Sequence, residues 1–277
     1  MNNMILVNGK ASEDISAYDR GLNYGDGIFE TLAVWQGKCL NWPRHLARFE
    51  RGCRRLSLPI PDSELLLSEI DQLCEGIERA VIKILLTRGS AGRGYAMPDN
   101  VTPNRIIMRT AWPDYPVELF EKGIRVHLCE TPLGCNPILA GIKHLNRLEN
   151  ILARNEWSDS TISEGLMCNK EGYLVEGIMS NLFCVKDGQL ITPSLDGCGV
   201  LGTIRDLLFE IANGLNINVT EAQLLPEDLA NMDEAFVCNS IVGIWPIREV
   251  AQHQFAAPGE ITRQCQNALK KDYFGSC

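Results

Sequence analysis

Lys143 stands in the run Leu139-Ala140-Gly141-Ile142-Lys143-His144-Leu145-Asn146-Arg147, a single ammonium among aliphatic side chains just ahead of a helical pattern. Apolar surroundings disfavour the charged form of an amine, so it can become a nucleophile near neutral pH. Lys143 is therefore a candidate Schiff-base lysine, set against a plainer reading in which its stem packs on apolar neighbours and its head reaches water. Other residues suit an anion. Arg44, Arg48, Arg51 and Arg55 recur at helical spacing beside apolar Leu46, Phe49, Cys53 and Leu56, which by itself describes a solvated basic face. The turn Gly199-Val200-Leu201-Gly202-Thr203-Ile204-Arg205 runs into a helix, where the amides of Thr203 and Ile204 can hold phosphate oxygens with help from the helix dipole. An ordinary strand-to-helix turn with Thr203 near the cap fits it too. The glycine-rich loop from Arg88 to Tyr95 lacks the Gly-Lys-Ser/Thr ending of a P-loop, which removes the nucleotide-loop alternative.

Around these residues a chain-long resemblance takes shape. The Lys143 segment resembles the lysine motif of aminodeoxychorismate lyases, members of the fold-type IV pyridoxal-phosphate enzymes that also include branched-chain and D-amino-acid aminotransferases. The likeness continues through Tyr24-Gly25-Asp26-Gly27-Ile28-Phe29-Glu30-Thr31, His45-Leu46-Ala47-Arg48, Thr87-Arg88-Gly89 to Gly92-Arg93-Gly94-Tyr95, Glu176 to Asn181-Leu182-Phe183, Gly199 to Arg205, and Phe236 to Pro246. One such motif is a weak signal; seven in order over nearly the whole chain are not.

The resemblance implies pyridoxal 5'-phosphate as cofactor and assigns roles that residue types alone leave open. Lys143 would hold the cofactor aldehyde and serve as the base. Glu176, by residue type alone an exposed strand carboxylate, takes by resemblance the position that pairs with the pyridine nitrogen. Arg48, three residues after His45, takes the phosphate arginine's place, where its planar donors suit a dianion. Thr203 and Ile204 supply backbone donors, and Ser240, a hydroxyl after the strand ending at Asn239, is the third phosphate position. Arg93 lies in a loop near the substrate side and would meet a substrate carboxylate. The implied reaction converts 4-amino-4-deoxychorismate to 4-aminobenzoate and pyruvate for folate synthesis, with an aminotransferase of the same fold as the alternative. A reading from another class, a non-catalytic phosphate-ligand protein that kept the fold, is opposed by the presence of both Lys143 and Glu176.

The elements that must carry these residues can be read from periodicity. Residues 4–7, 28–35, 38–41, 81–86 and 106–110 are predicted strands, and 43–58, which opens with proline, and 62–74 are predicted helices, together a compact α/β unit. Two prolines in Trp112-Pro113-Asp114-Tyr115-Pro116 suggest a linker. Beyond it come a strand at 124–129, a helix in which Leu145, Leu148 and Leu152 share a face, hairpins turning at 169–172 and 186–188, and helices at 203–214, 226–232 and 260–273. The expected organisation is a small α/β domain over 1–112, a linker over 113–118 and a larger, strand-rich cofactor-binding domain over 119–277. By resemblance this is the α/β (α+β) two-domain fold-type IV architecture, with the active site at the domain interface and a homodimer.

Composition and charge favour a small ligand. At 277 residues the chain can bury a sizeable core, and its hydrophobic fraction of 45% is that of an ordinary globular protein. A net charge of -9 argues against a general nucleic-acid surface. Eleven cysteines form no CxxC pair and no Cys/His metal spacing, so no metal is expected, and reduced thiols suit a cytoplasmic chain. The sequence shows no basic leader and no apolar run long enough for a bilayer, so no membrane association is expected.

Overall fold

A computed structural model of the chain describes residues 4–98, 100 and 102–274. It divides into two compact units, Met1–Pro113 with Ile142–Asn146, and Asp114–Gly141 with Arg147–Cys277. The expected boundaries differ from this division at Ile142–Asn146, which the sequence reading assigns to the larger domain. Backbone pairing is the reason. Phe29 N donates to the Lys143 carbonyl at 2.9 Å and Leu145 N to that of Gly27 at 3.0 Å, so the lysine segment lies antiparallel against a strand of the first unit.

The first unit contains β1 (Met4–Val7), β2 (Lys10–Ala11), α1 (Arg20–Tyr24), β3 (Gly27–Trp35), β4 (Lys38–Cys39), α2 (Trp42–Leu56), α3 (Ser63–Cys74), β5 (Arg79–Thr87) and β6 (Asn104–Ala111). Its sheet is antiparallel throughout, in the order β2-β1-β6-β5-β3-β4. β3 pairs β5 over its whole length, from Gly27 opposite Thr87 to Trp35 opposite Arg79. The two-residue alternation of β3 sends Ile28, Glu30, Leu32 and Val34 to the buried face. There the apolar members join Ile82, Ile84 and Leu86 of β5 with Phe49, Cys53, Leu66, Ile70 and Leu73 of the helices. Each buried Leu or Ile stabilises the unit by roughly 1.5–3 kcal/mol.

Helix α2 follows from its sequence. Pro43 presets the first turn, Phe49, Gly52 and Cys53 face the core, and Arg54 and Arg55 face water. Gly52 sits where a Cβ would stand 3.1 Å from Ile28 Cγ2, so its bare backbone lets α2 lie close on β3. The helix ends at Ser57, which adopts a left-handed φ of 51° while Leu58 N reaches back to the Cys53 carbonyl at 2.8 Å.

The second unit contains α4 (Glu118–Glu121), β7 (Ile124–Leu128), α5 (Leu148–Arg154), β8 (Ile162–Cys168), β9 (Leu174–Gly177), β10 (Asn181–Lys186), β11 (Gln189–Pro193), α6 (Thr203–Gly214), β12 (Val219–Ala222), a 3-10 turn at Pro226–Asn231, β13 (Glu234–Asn239), β14 (Gly243–Val250), β15 (His253–Gln254) and α7 (Glu260–Phe274). Its nine-stranded sheet runs β12-β11-β10-β13-β14-β7-β8-β9, with β15 on β14. The ends approach each other: Leu174 N of β9 donates to the Leu224 carbonyl at 2.7 Å, and Gly177 N to that of Ser180 at 2.7 Å. The sheet is therefore curled towards a barrel. Leu182, Cys184, Val237, Trp245 and Ile247 form one apolar cluster, while Phe183 points the other way, stacked on Phe236 at 5.2 Å and edge-on to Phe209 of α6.

One helix departs from the sequence reading. Leu145 precedes α5, and Leu148, Ile151 and Leu152 are exposed while Ala153 is buried. The apolar stripe of α5 thus faces outward. Among the described residues no helix is long and apolar enough to cross a membrane, and no group of three or more His, Cys, Asp or Glu could hold a metal ion.

Candidate active site

In the first unit the chemistry gathers on β3. Its edge at Gly27–Phe29 is taken by the lysine segment, with Ile28 opposite His144, and this sets Lys143 beside Phe29. The half-buried Lys143 amine lies 4.5 Å from the Phe29 ring centroid, over an aromatic face that favours a cation. Phe29 and Glu30 alternate, so the next residue along β3 points to the opposite, buried face. Glu30 there meets Arg48 and His45 from α2. Arg48 Nε donates to Glu30 Oε1 at 2.8 Å and Arg48 Nη2 to Oε2 at 2.6 Å, a two-bonded fork, and His45 Nδ1 stands 2.7 Å from Oε2.

Burial would push the Glu30 carboxyl up, but the Arg48 charge and the hydrogen bonds from Arg48 and His45 outweigh it and hold it down to about 2. Desolvation pulls His45 below its ordinary value, with the Arg48 and Lys143 charges adding to that effect against the pull of Glu30. His45 is thus a neutral ring whose Nδ1–H donates to Glu30. Arg48 is 6% exposed, and the fork fixes its plane. Its companions differ: Arg55 is exposed, whereas Arg44 and Arg51 are half-buried.

Arg93 is exposed, in a loop held by Arg20 and Asp26. Arg20 donates from Nε to Asp26 Oδ2 and from Nη1 to the Gly94 carbonyl, both at 2.8 Å, and Tyr24 and Tyr95 meet edge to face at 5.6 Å. Arg88 donates to the same Asp26 oxygen and to the Leu56 and Ser57 carbonyls that end α2. Against desolvation, the hydrogen bonds and charges of Arg88 and Arg20 keep Asp26 below the ordinary carboxylate range.

In the second unit Glu176 lies on β9 and is 4% exposed. Its Oε2 accepts from Val200 N at 2.8 Å and from Asn181 Nδ2 at 3.3 Å, while the same Asn181 nitrogen donates to the Val200 carbonyl at 2.9 Å. Asn181 therefore ties the carboxylate to the turn that starts α6. Gly199 adopts a left-handed φ of 85° in that turn, and at Gly202 a Cβ would collide with Asn181 Oδ1. The first backbone bond of α6 runs from Asp206 N to the Gly202 carbonyl, so the Thr203 and Ile204 amides precede the intrahelical ladder, and no side chain caps the helix. Thr203 Oγ1 and Ser240 Oγ stand 2.9 Å apart, and Tyr273 of α7 donates to the Ser240 carbonyl at 3.0 Å.

These donors fit a pyridoxal-phosphate ligand. Two hydroxyls meet at an uncapped helix start whose dipole favours an anion, and the glycine at its head leaves no room for a Cβ. A buried carboxylate oriented by amide donors suits a protonated ring nitrogen, and a half-buried amine suits an aldehyde. The structure groups Lys143 with the Arg48 region through β3, and Glu176 with Thr203 and Ser240 through the α6 turn. The sequence reading did not identify Glu30, Asn181 or the Val200 amide as members of these groups. Glu30 carried a signal: a lone charge inside the apolar run 28–34 must find a buried partner.

Comparison with known proteins identifies the family. Residues 27–250 match the amino-transferase class IV family. The chain is 33% identical to the aminodeoxychorismate lyase of Vibrio harveyi, covering 96% of this chain and 99% of that one. The crystal structure of 4-amino-4-deoxychorismate lyase from Pseudomonas aeruginosa superposes with a TM-score of 0.93 at 44% identity, over 98% of this chain and 100% of that one. The branched-chain amino acid aminotransferase of Escherichia coli gives 0.85 at 26% identity, over 98% and 95%. With the fold-type IV architecture shown by these likenesses, the chain belongs to the amino-transferase class IV family.

Proposed function

We propose that this chain is a pyridoxal-phosphate-dependent lyase that converts 4-amino-4-deoxychorismate to 4-aminobenzoate and pyruvate in folate biosynthesis. The observation that carries the reaction is the full-length likeness to two lyases of that name, which exceeds the likeness to the branched-chain aminotransferase. The residues proposed to serve the cofactor are Lys143, Arg48, Glu176, Thr203, Ile204 and Ser240.

When bound, pyridoxal phosphate accepts the electron pair left as a C–H bond beside the substrate amine breaks. Lys143 would hold the cofactor aldehyde through Nζ, and the same Nζ would take the proton from the substrate ring carbon. The Phe29 ring receives the ammonium that forms. Glu176, oriented by Val200 and Asn181, keeps a proton on the pyridine nitrogen. Arg48, set by Glu30, would bind phosphate, a role proposed also for the Thr203 and Ile204 amides and the Ser240 hydroxyl. Arg93 meets a substrate carboxylate. Loss of the enolpyruvyl group and aromatisation complete the reaction.

A homodimer in the cytoplasm is part of the same reading. The outward apolar stripe Leu148, Ile151 and Leu152 supports a second copy as partner, and the ten described cysteines, all free, support a reducing compartment. The deciding experiment supplies aminodeoxychorismate alone. Equal amounts of 4-aminobenzoate and pyruvate over many turnovers are expected. A requirement for a keto acid, with efficient amino transfer from D-alanine or a branched-chain amino acid, would move the chain to the aminotransferase reading.

A further inference from the structure

Cys135 and Cys198 are separated by 63 positions in sequence, yet their sulfurs stand 3.7 Å apart within the second unit. Among the described cysteines Cys135 alone is exposed; Cys198 is 7% exposed. The two segments are already joined downstream, by Gly141 N to the Gly199 carbonyl at 2.9 Å and by Leu201 N to the Gly141 carbonyl at 3.3 Å. Beyond Cys198 lies the turn whose Val200 amide holds Glu176.

We propose that Cys135 and Cys198 are a peroxide-sensitive pair whose disulfide turns down the Glu176 site; the consequence for the site, though not the sulfur chemistry, rests on the role given to Glu176 above. Solvent peroxide reaches Cys135. Its sulfur attacks one peroxide oxygen and the O–O bond breaks, giving a sulfenic acid and one water. The Cys198 sulfur then attacks that of Cys135: the S–S bond forms, the S–O bond breaks, and hydroxide leaves with the Cys198 proton as a second water. The two electrons lost by the sulfurs reduce the peroxide. Cys198 is shielded and Cys135 exposed, so peroxide meets Cys135 first and Cys198 is the sulfur left to resolve it; burial, with the Cys135 neighbour, also pushes the Cys198 thiol up to about 12.

Closing the bond shortens the sulfur separation from 3.7 Å to about 2 Å. Cys198 is followed by Gly199, whose left-handed turn packs against Val175 and Leu195, and then by Val200. Movement of Cys198 is therefore transmitted to the Val200 N–H that donates to Glu176 Oε2 at 2.8 Å. Loss of one hydrogen bond to a buried carboxylate corresponds to roughly a tenfold change in an equilibrium or rate.

The test treats the cofactor-loaded protein with graded hydrogen peroxide. Peptide mass spectrometry should find the peptides of Cys135 and Cys198 joined with loss of two hydrogens, the visible cofactor absorbance should shift, and 4-aminobenzoate formation should fall roughly tenfold. Dithiothreitol should restore all three. Cys135→Ser should keep the untreated rate and absorbance while forming no joined peptide and resisting peroxide. Stepwise oxidation of Cys135 to sulfinic acid without the joined peptide would overturn the proposal, as would a joined peptide that leaves both absorbance and rate unchanged. Protein that shows no lyase turnover before treatment contradicts the functional reading instead, and the joined peptide and the absorbance still decide this one.

Discussion

Glu30→Gln tests whether the Glu30–Arg48–His45 group does what its burial and geometry require. The carboxyl is held at about 2 against an ordinary value of 4.5, a difference worth about 3 kcal/mol of folding stability for a group this buried. A depressed carboxyl contributes that stability in full above the unfolded value and loses it as pH falls through the folded one. The gap between wild type and Glu30→Gln should therefore be about 3 kcal/mol near pH 7, little changed near pH 5.5, and about 1.4 kcal/mol near pH 3. Losing the partner of a buried arginine acts in the same direction. In melting temperature, the neutral-pH difference corresponds to roughly 6–12 °C. Urea unfolding of the cofactor-free proteins, followed by circular dichroism across that pH range, measures it. A gap under about 1 kcal/mol at neutral pH, or one that does not shrink between about pH 5.5 and 3, would refute the reasoning.

Other expectations follow from the same site. Borohydride should fix the cofactor of the yellow protein to Lys143, and Lys143→Ala should abolish turnover; a different modified lysine in peptide maps would unseat the assignment. Glu176→Gln should lower turnover far more than cofactor content, measured by absorbance and rate on one preparation, and an unchanged rate would place the pyridine partner elsewhere. Arg48→Ala should weaken cofactor binding in titrations of the apoprotein, whereas Arg55→Ala, on the exposed side of α2, should not; equal effects would mean a general basic patch rather than a specific contact. Arg93→Ala should raise the substrate KM with the cofactor absorbance preserved, and an unaltered KM would remove Arg93 from the substrate site.

The amino-acid sequence by itself determined the helices and strands whose patterns are local. Helix α6 was legible to the residue because a glycine turn and a periodic apolar face bound it, and α2 was legible from Pro43 and its arginine spacing. The family was also legible, because its motifs stand in order along the chain. Only the tertiary structure decided where the lysine segment belongs: hydrogen bonds from Phe29 and Leu145 attach it to β3, far away in sequence. The same holds for α5, where periodicity identifies an apolar face without saying whether anything covers it, and this one faces outward. It holds most for the polar groups. The carboxylate of Glu30 lies among apolar strand residues because Arg48 and His45 descend on it from another element, and Glu176 is oriented by an amide 24 residues away. A buried charge is tolerable only with such partners. Residue type and spacing can show that a partner is needed; which one answers depends on how the chain packs.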